Sequence, residues 1–169
     1  MMDYSKVSIG EENILALRSF LLEGPEAWVP LQDEIQVDDE TAAGYMSLLF
    51  CAFEVAVRRK FAPTYFVWQL VRFVADVRIA AGEDAFLIDP LVAEDMVRRA
   101  VDAPPLKEAV PEDVSATVHA QVFILLYLIA EMDLDRAGLE QFIEEVTAYT
   151  EEWLAARWDE ASASASSSS

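Results

Sequence analysis

The sequence predicts an all-α protein of six helices in an orthogonal, bundle-like globule, three apolar helices inside and three amphipathic ones around them. Three observations carry this. Apolar residues recur at steps of three and four, as at Leu139, Phe142, Val146, Tyr149 and Trp153, which puts them on one face of a helix. Strand-like alternation never lasts, and the β-branched residues fall at the same helical spacing. Proline and glycine then cut the chain into helix-length segments, most of them with a capping side chain at the start.

Taken in order, Ser8 with Glu11 has the spacing of a capping box, so the first helix should run to about Leu22 and stop at Gly24-Pro25. The stretch from Pro25 to Val37 reads as irregular, with Trp28 placed to plug the core. Asp38 and Asp39 cap a second helix that Pro63 ends, because a proline removes an amide donor and clashes with the preceding turn. Thr64 is the expected cap of a third, from Tyr65 to Ala81, closed by Gly82. Asp89-Pro90, an N-cap followed by proline at the first helical position, opens a fourth that ends before Pro104-Pro105. Pro111 opens the fifth in the same way, and the sixth begins near Asp135.

The second, third and fifth segments are apolar around most of their circumference, and the first, fourth and sixth are amphipathic. That contrast assigns the inner and outer layers. At 169 residues a single domain over residues 1–160 is expected. The closing "ASASASSSS", residues 161–169, has nothing to bury and reads as a disordered tail.

Composition excludes more than it assigns. Acids outnumber bases 31 to 12, for a formal charge of −19. A chain so charged repels nucleic acid and anionic membranes and attracts basic partners. One cysteine, Cys51, supports neither a disulfide framework nor a thiolate cluster. The N-terminus lacks the apolar core of a signal peptide, so a cytoplasmic location is expected. The longest apolar run, Val122 to Ala130, is nine residues, well short of the ~20 that cross a bilayer. It reads as part of a buried helix.

No GxGxxG, phosphate-binding loop or GxSxG element occurs, and no cofactor is expected. The lone histidine, His119, lies near the polar start of an apolar helix, where a structural role outweighs a catalytic one. Asp38, Asp39 and Glu40 suit a helix start through the dipole and need no magnesium to explain them. From Asp133 to Glu144 a calcium loop can be traced, with Asp133, Asp135, Gly138 and Glu144 at positions one, three, six and twelve. Ala137 at position five offers no side-chain oxygen. The simpler reading is a tight turn with Asp135 as N-cap.

Isolated polar residues within the inner helices form a candidate seam or pocket. Glu54 stands alone in the second helix. Gln69, Arg72 and Asp76 share a narrow stripe of the third, and Arg72 and Asp76 have the spacing of an intrahelical pair. The stripe reads as the wet edge of a mostly buried helix, since charged residues are rarely fully buried. Trp68 and Phe73 sit beside it and with Arg72 outline a conceivable small-molecule pocket.

The stretch "VRFVADVR", followed by "IDPLVAEDMVRRAV", resembles a group of small all-helical actinobacterial proteins of unknown function over Val71 to Val101. Nine arginines against three lysines suit such a high-GC source. The resemblance implies no activity.

Function is therefore expected to lie in binding. The leading expectation is a non-enzymatic acidic module that docks a basic or apolar protein, with a homodimer as the simplest cover for excess apolar surface. The alternative is a small-molecule binder or enzyme with its pocket among the inner helices.

Overall fold

A computed structural model describes residues 9–24, 39–102 and 114–166. Six α-helices account for most of them: α1 (Glu11–Glu23), α2 (Asp39–Phe61), α3 (Val67–Ala81), α4 (Pro90–Asp102), α5 (Val114–Met132) and α6 (Arg136–Ser166). A 3-10 turn, Gly82–Leu87, joins α3 to α4, and no strand occurs among the described residues. The all-α fold is as the apolar periodicity requires. Contacts divide the chain into two compact units, residues 1–51 with 135–169 and residues 52–134, so the boundary falls within α2 after Cys51.

The first unit joins α1, the start of α2 and α6. Gly10 rather than Ser8 is the N-cap of α1, and its N–H donates to Asn13 Oδ1 at 3.0 Å. Asn13 thus supplies the return bond expected of Glu11, and Ser8 itself lies outside the described residues. At the other end Gly24 takes φ 83° and donates its N–H to the Phe20 carbonyl at 2.9 Å, a left-handed stop that glycine adopts without a Cβ clash. Leu17, Phe20, Tyr45, Leu48, Phe142 and Val146 are buried. Phe50 and Trp153 rings meet at 5.8 Å between centroids, and Arg157 lies 4.5 Å over the Trp153 ring.

Helix α6 begins as the acid pattern indicates. Asp135 Oδ1 accepts the Gly138 N–H at 2.7 Å, and its carbonyl accepts that of Leu139 at 2.9 Å. The helix then continues for 31 residues to Ser166. It includes the first six residues of the stretch expected as a tail, where alanine, the strongest helix former, alternates with serine.

The second unit holds the end of α2, α3, the 3-10 turn, α4 and α5. Ala52 to Val57 of α2 are all buried, as an apolar inner helix should be. Asp89 caps α4 as its sequence indicates, accepting the Leu91 and Val92 amides at 2.9 and 3.2 Å. The cap sites at Asp38 and Pro111, the irregular stretch with Trp28 and the Pro104-Pro105 stop lie outside the described residues.

Helix α3 departs from its expected inner position. Only Leu70, Phe73, Val74 and Val77 are buried, all on one side. Apolar residues all round a helix are satisfied by burial on every side, yet the same pattern arises when a second apolar face is left outward. Here the second case holds.

Candidate protein-interaction surface

The cap of α3 sets which residues face out. Phe66, not Thr64, is its N-cap, and the Phe66 N–H donates to Gln69 Oε1 at 2.9 Å. Gln69 is thus a capping residue, which explains a polar side chain in an otherwise apolar start. The inward side is held by aromatics. Phe73 meets Phe61 and Tyr127 edge to face at 5.2 and 5.6 Å, and Lys60 Nζ lies 5.3 Å over the Phe73 ring. Such pairs add about 0.5–1.5 kcal/mol each beyond the area they bury.

The outward side divides in two. At 3.6 residues per turn, Val67, Val71, Ala75, Trp68 and Ile79 fall within an arc of roughly 120°, and all five are exposed. Arg72, Asp76 and Gln69 follow along one edge of that arc, and half-buried Arg78 lies among its first residues. Trp68 is 63% exposed and Ile79 77%; Phe66 is 67% exposed and stacks on Trp68 with centroids 6.4 Å apart. Phe86 on the 3-10 turn and Leu91 at the start of α4, elements packed directly against α3, are 78% and 75% exposed. With ring surfaces of 150–250 Å² and aliphatic side chains of about half that, Phe66, Val67, Trp68, Val71 and Ile79 alone leave on the order of 450 Å² of apolar surface in water. Monomers rarely expose more than a few hundred Å² in one patch.

The structure separates the residues that the sequence grouped. Trp68 points to solvent while Phe73 is 4% exposed on the opposite side, so with exposed Arg72 they line no common pocket. Gln69 and Arg72 are exposed and Asp76 is half-buried, so the polar stripe is a wet edge. Its dry neighbour is an exposed apolar face rather than more core. No ion pair joins Arg72 to Asp76, and neither has a partner among the described residues. The order is unfavourable, since a base placed four residues before an acid works against the helix dipole. Glu54 is buried, and His119 is half-buried on α5.

The traced calcium loop is mostly helix. Asp133 sits in the turn at φ 46°, Asp135 is occupied as an N-cap, and Glu144 is exposed well inside α6. Among the described residues no group of three or more His, Cys, Asp or Glu side chains is placed to hold a metal ion.

Electrostatically the two units differ. The first carries 18 acidic and 4 basic residues, the second 13 and 8, a net of −14 against −5. In the first unit Arg18 of α1 forks onto Glu140 of α6, with Nε to Oε1 at 2.7 Å and Nη2 to Oε2 at 2.8 Å. The donated hydrogen bond holds the Glu140 carboxyl below its ordinary range and the Arg18 guanidinium above its own. Burial pushes the Tyr45 phenol far above its usual value. In the second unit the bases that end α2 have specific partners beyond the dipole. Arg58 Nε donates to the Ala100 carbonyl at 2.8 Å, and Lys60 donates to Glu131. No local sequence signal marks these long-range contacts.

No family model, curated protein or solved structure matches this chain. No helix among the described residues is long and apolar enough to cross a membrane.

Proposed function

We propose that this chain is a non-enzymatic protein-interaction module that docks a protein partner through the outer face of α3. One observation carries the reading: Trp68, Val71 and Ile79 share an exposed arc of a well-anchored helix, beside exposed Phe66 and Val67. Aromatic residues set in a rigid apolar patch with a polar edge are what interface cores use, because their area is buried at little entropic cost. Burying ~450 Å² at 25 cal/mol per Å² yields about 11 kcal/mol, to which the partner's matching surface adds, before association costs of about 4–15 kcal/mol. That margin suits a specific complex.

A second surface favours a basic partner. Glu144, Glu151 and Glu152 are exposed on α6 in the unit of net −14, where attraction steers association more than it tightens it.

Photo-crosslinking residues placed singly at Ile79 and at Glu151, in cells of the source organism, test both surfaces. Protein adducts from position 79 are expected. Adducts from position 151 alone would transfer the docking role to α6, and none from either would end the interaction reading.

A further inference from the structure

We infer that the occupant of the α3 face is the same face of a second copy, the two α3 helices packed antiparallel across a two-fold axis near Ala75. The inference rests on the docking role proposed for this face and names its partner.

The centre of the exposed arc is small. Ala75 lies one turn from Val71 on one side and one turn from Ile79 on the other, and all three are exposed. A two-fold through Ala75 sets Val71 opposite the partner's Ile79 and Ile79 opposite the partner's Val71. The alanines between them let the helix axes approach, and large residues close over the crossing at either end.

The polar edge is complementary to itself. In an antiparallel helix pair each flank meets the identical flank of the other helix, so residues on one edge face that same edge reversed. Arg72 and Asp76 occupy one edge of the arc, and neither has a partner among the described residues. Reversal brings Arg72 to the partner's Asp76 and Asp76 to the partner's Arg72, two ion pairs that the isolated chain does not form. A four-residue spacing that is poor within one helix becomes useful between two.

Charge argues against a basic occupant here. The ionised groups on the outward and edge positions of α3 are Arg72, Arg78 and Asp76, two bases and one acid. A strongly basic protein finds more bases than acids on α3 itself, and the unit that carries α3 has a net charge of only −5 for it to meet. Size also fits. About 450 Å² of apolar surface, with the polar edge beside it, supplies more than half of the ~800 Å² per partner of a standard interface.

Light scattering on the full chain over about 1–100 μM decides the matter. The expected mass is twice 18.9 kDa. Ala75→Glu, which brings two carboxylates together at the axis, should give a chain of single mass with unchanged helical circular dichroism. Arg72→Asp and Asp76→Arg should each weaken the dimer about tenfold, and the double swap should restore it to within a few-fold. A dimer indifferent to all of these overturns α3 as the face. A wild-type mass of 18.9 kDa throughout overturns the second copy. In that event adducts from position 79 to another protein would leave the docking role standing, and their absence would remove both.

Discussion

Arg72 and Arg18 show how differently one residue type is used here. Arg18 meets Glu140 in a two-pronged bond between helices far apart in sequence, while Arg72 has an acid four residues away and does not pair with it. Local spacing made Arg72 and Asp76 the visible candidates, and tertiary contact made Arg18 and Glu140 the actual pair. No sequence pattern foretells a contact 122 residues apart. The consequence is a pH dependence of definite sign. Glu140 is held below its ordinary 4.5, first by the hydrogen bond from Arg18, so the folded form stabilises its carboxylate. That stabilisation is present in full above the unfolded value and disappears as pH falls through the lower folded one. Glu140→Gln should therefore lower the melting temperature at pH 7 and match the wild type once pH is well below 4.5. Melts from pH 7 to pH 3 measure this. A gap that persists at pH 3 would trace the loss to packing instead of charge.

At the scale of elements, boundaries were legible wherever a short side chain caps its own helix. Asp89 and Asp135 do what their spacing with the following amides requires, and Gly24 and Gly82 take the positive φ that ends a helix. Boundaries shifted where the cap is made by a longer side chain reaching back from inside the helix, as Asn13 does for α1 and Gln69 for α3. Such a residue looks like any interior amide until the backbone is seen. Inner and outer assignment held for α2 and was overturned for α3, because apolar periodicity reports what a helix avoids and not what covers it. The 3-10 turn was invisible, since six residues leave no period to read. Gln69 gives the sharpest test at this scale. If it is a capping residue, Gln69→Ala should destabilise by about 0.3–1.5 kcal/mol, as the loss of one helix cap does, and Gln69→Glu should retain most of the stability because a carboxylate oxygen can accept the same bond. Chemical denaturation of the three proteins decides. Equal losses from both substitutions would retire the cap and leave Gln69 as an ordinary surface residue.

For the whole molecule the decisive quantity is net charge against apolar face, and salt separates them. Two charges of −19 placed roughly 35 Å apart repel by about 40 kcal/mol in unscreened water. With a Debye length near 30 Å, at about 10 mM salt, roughly a third of that remains; near 8 Å, at about 150 mM, about one part in a hundred does. The intercopy Arg72 and Asp76 pairs respond oppositely, but exposed pairs contribute only about 0–1 kcal/mol each, and at contact distance salt weakens them little. Burial of the α3 face is insensitive to salt over this range. Repulsion therefore governs the trend, and raising salt from about 10 to about 150 mM should tighten the dimer, most of the gain coming below about 100 mM. Light scattering at fixed protein concentration follows it directly. A dimer tightest at the lowest salt would show that attraction between fixed charges holds the copies together, and the docking face would then have to be sought among the acids of α6 and the few bases able to meet them.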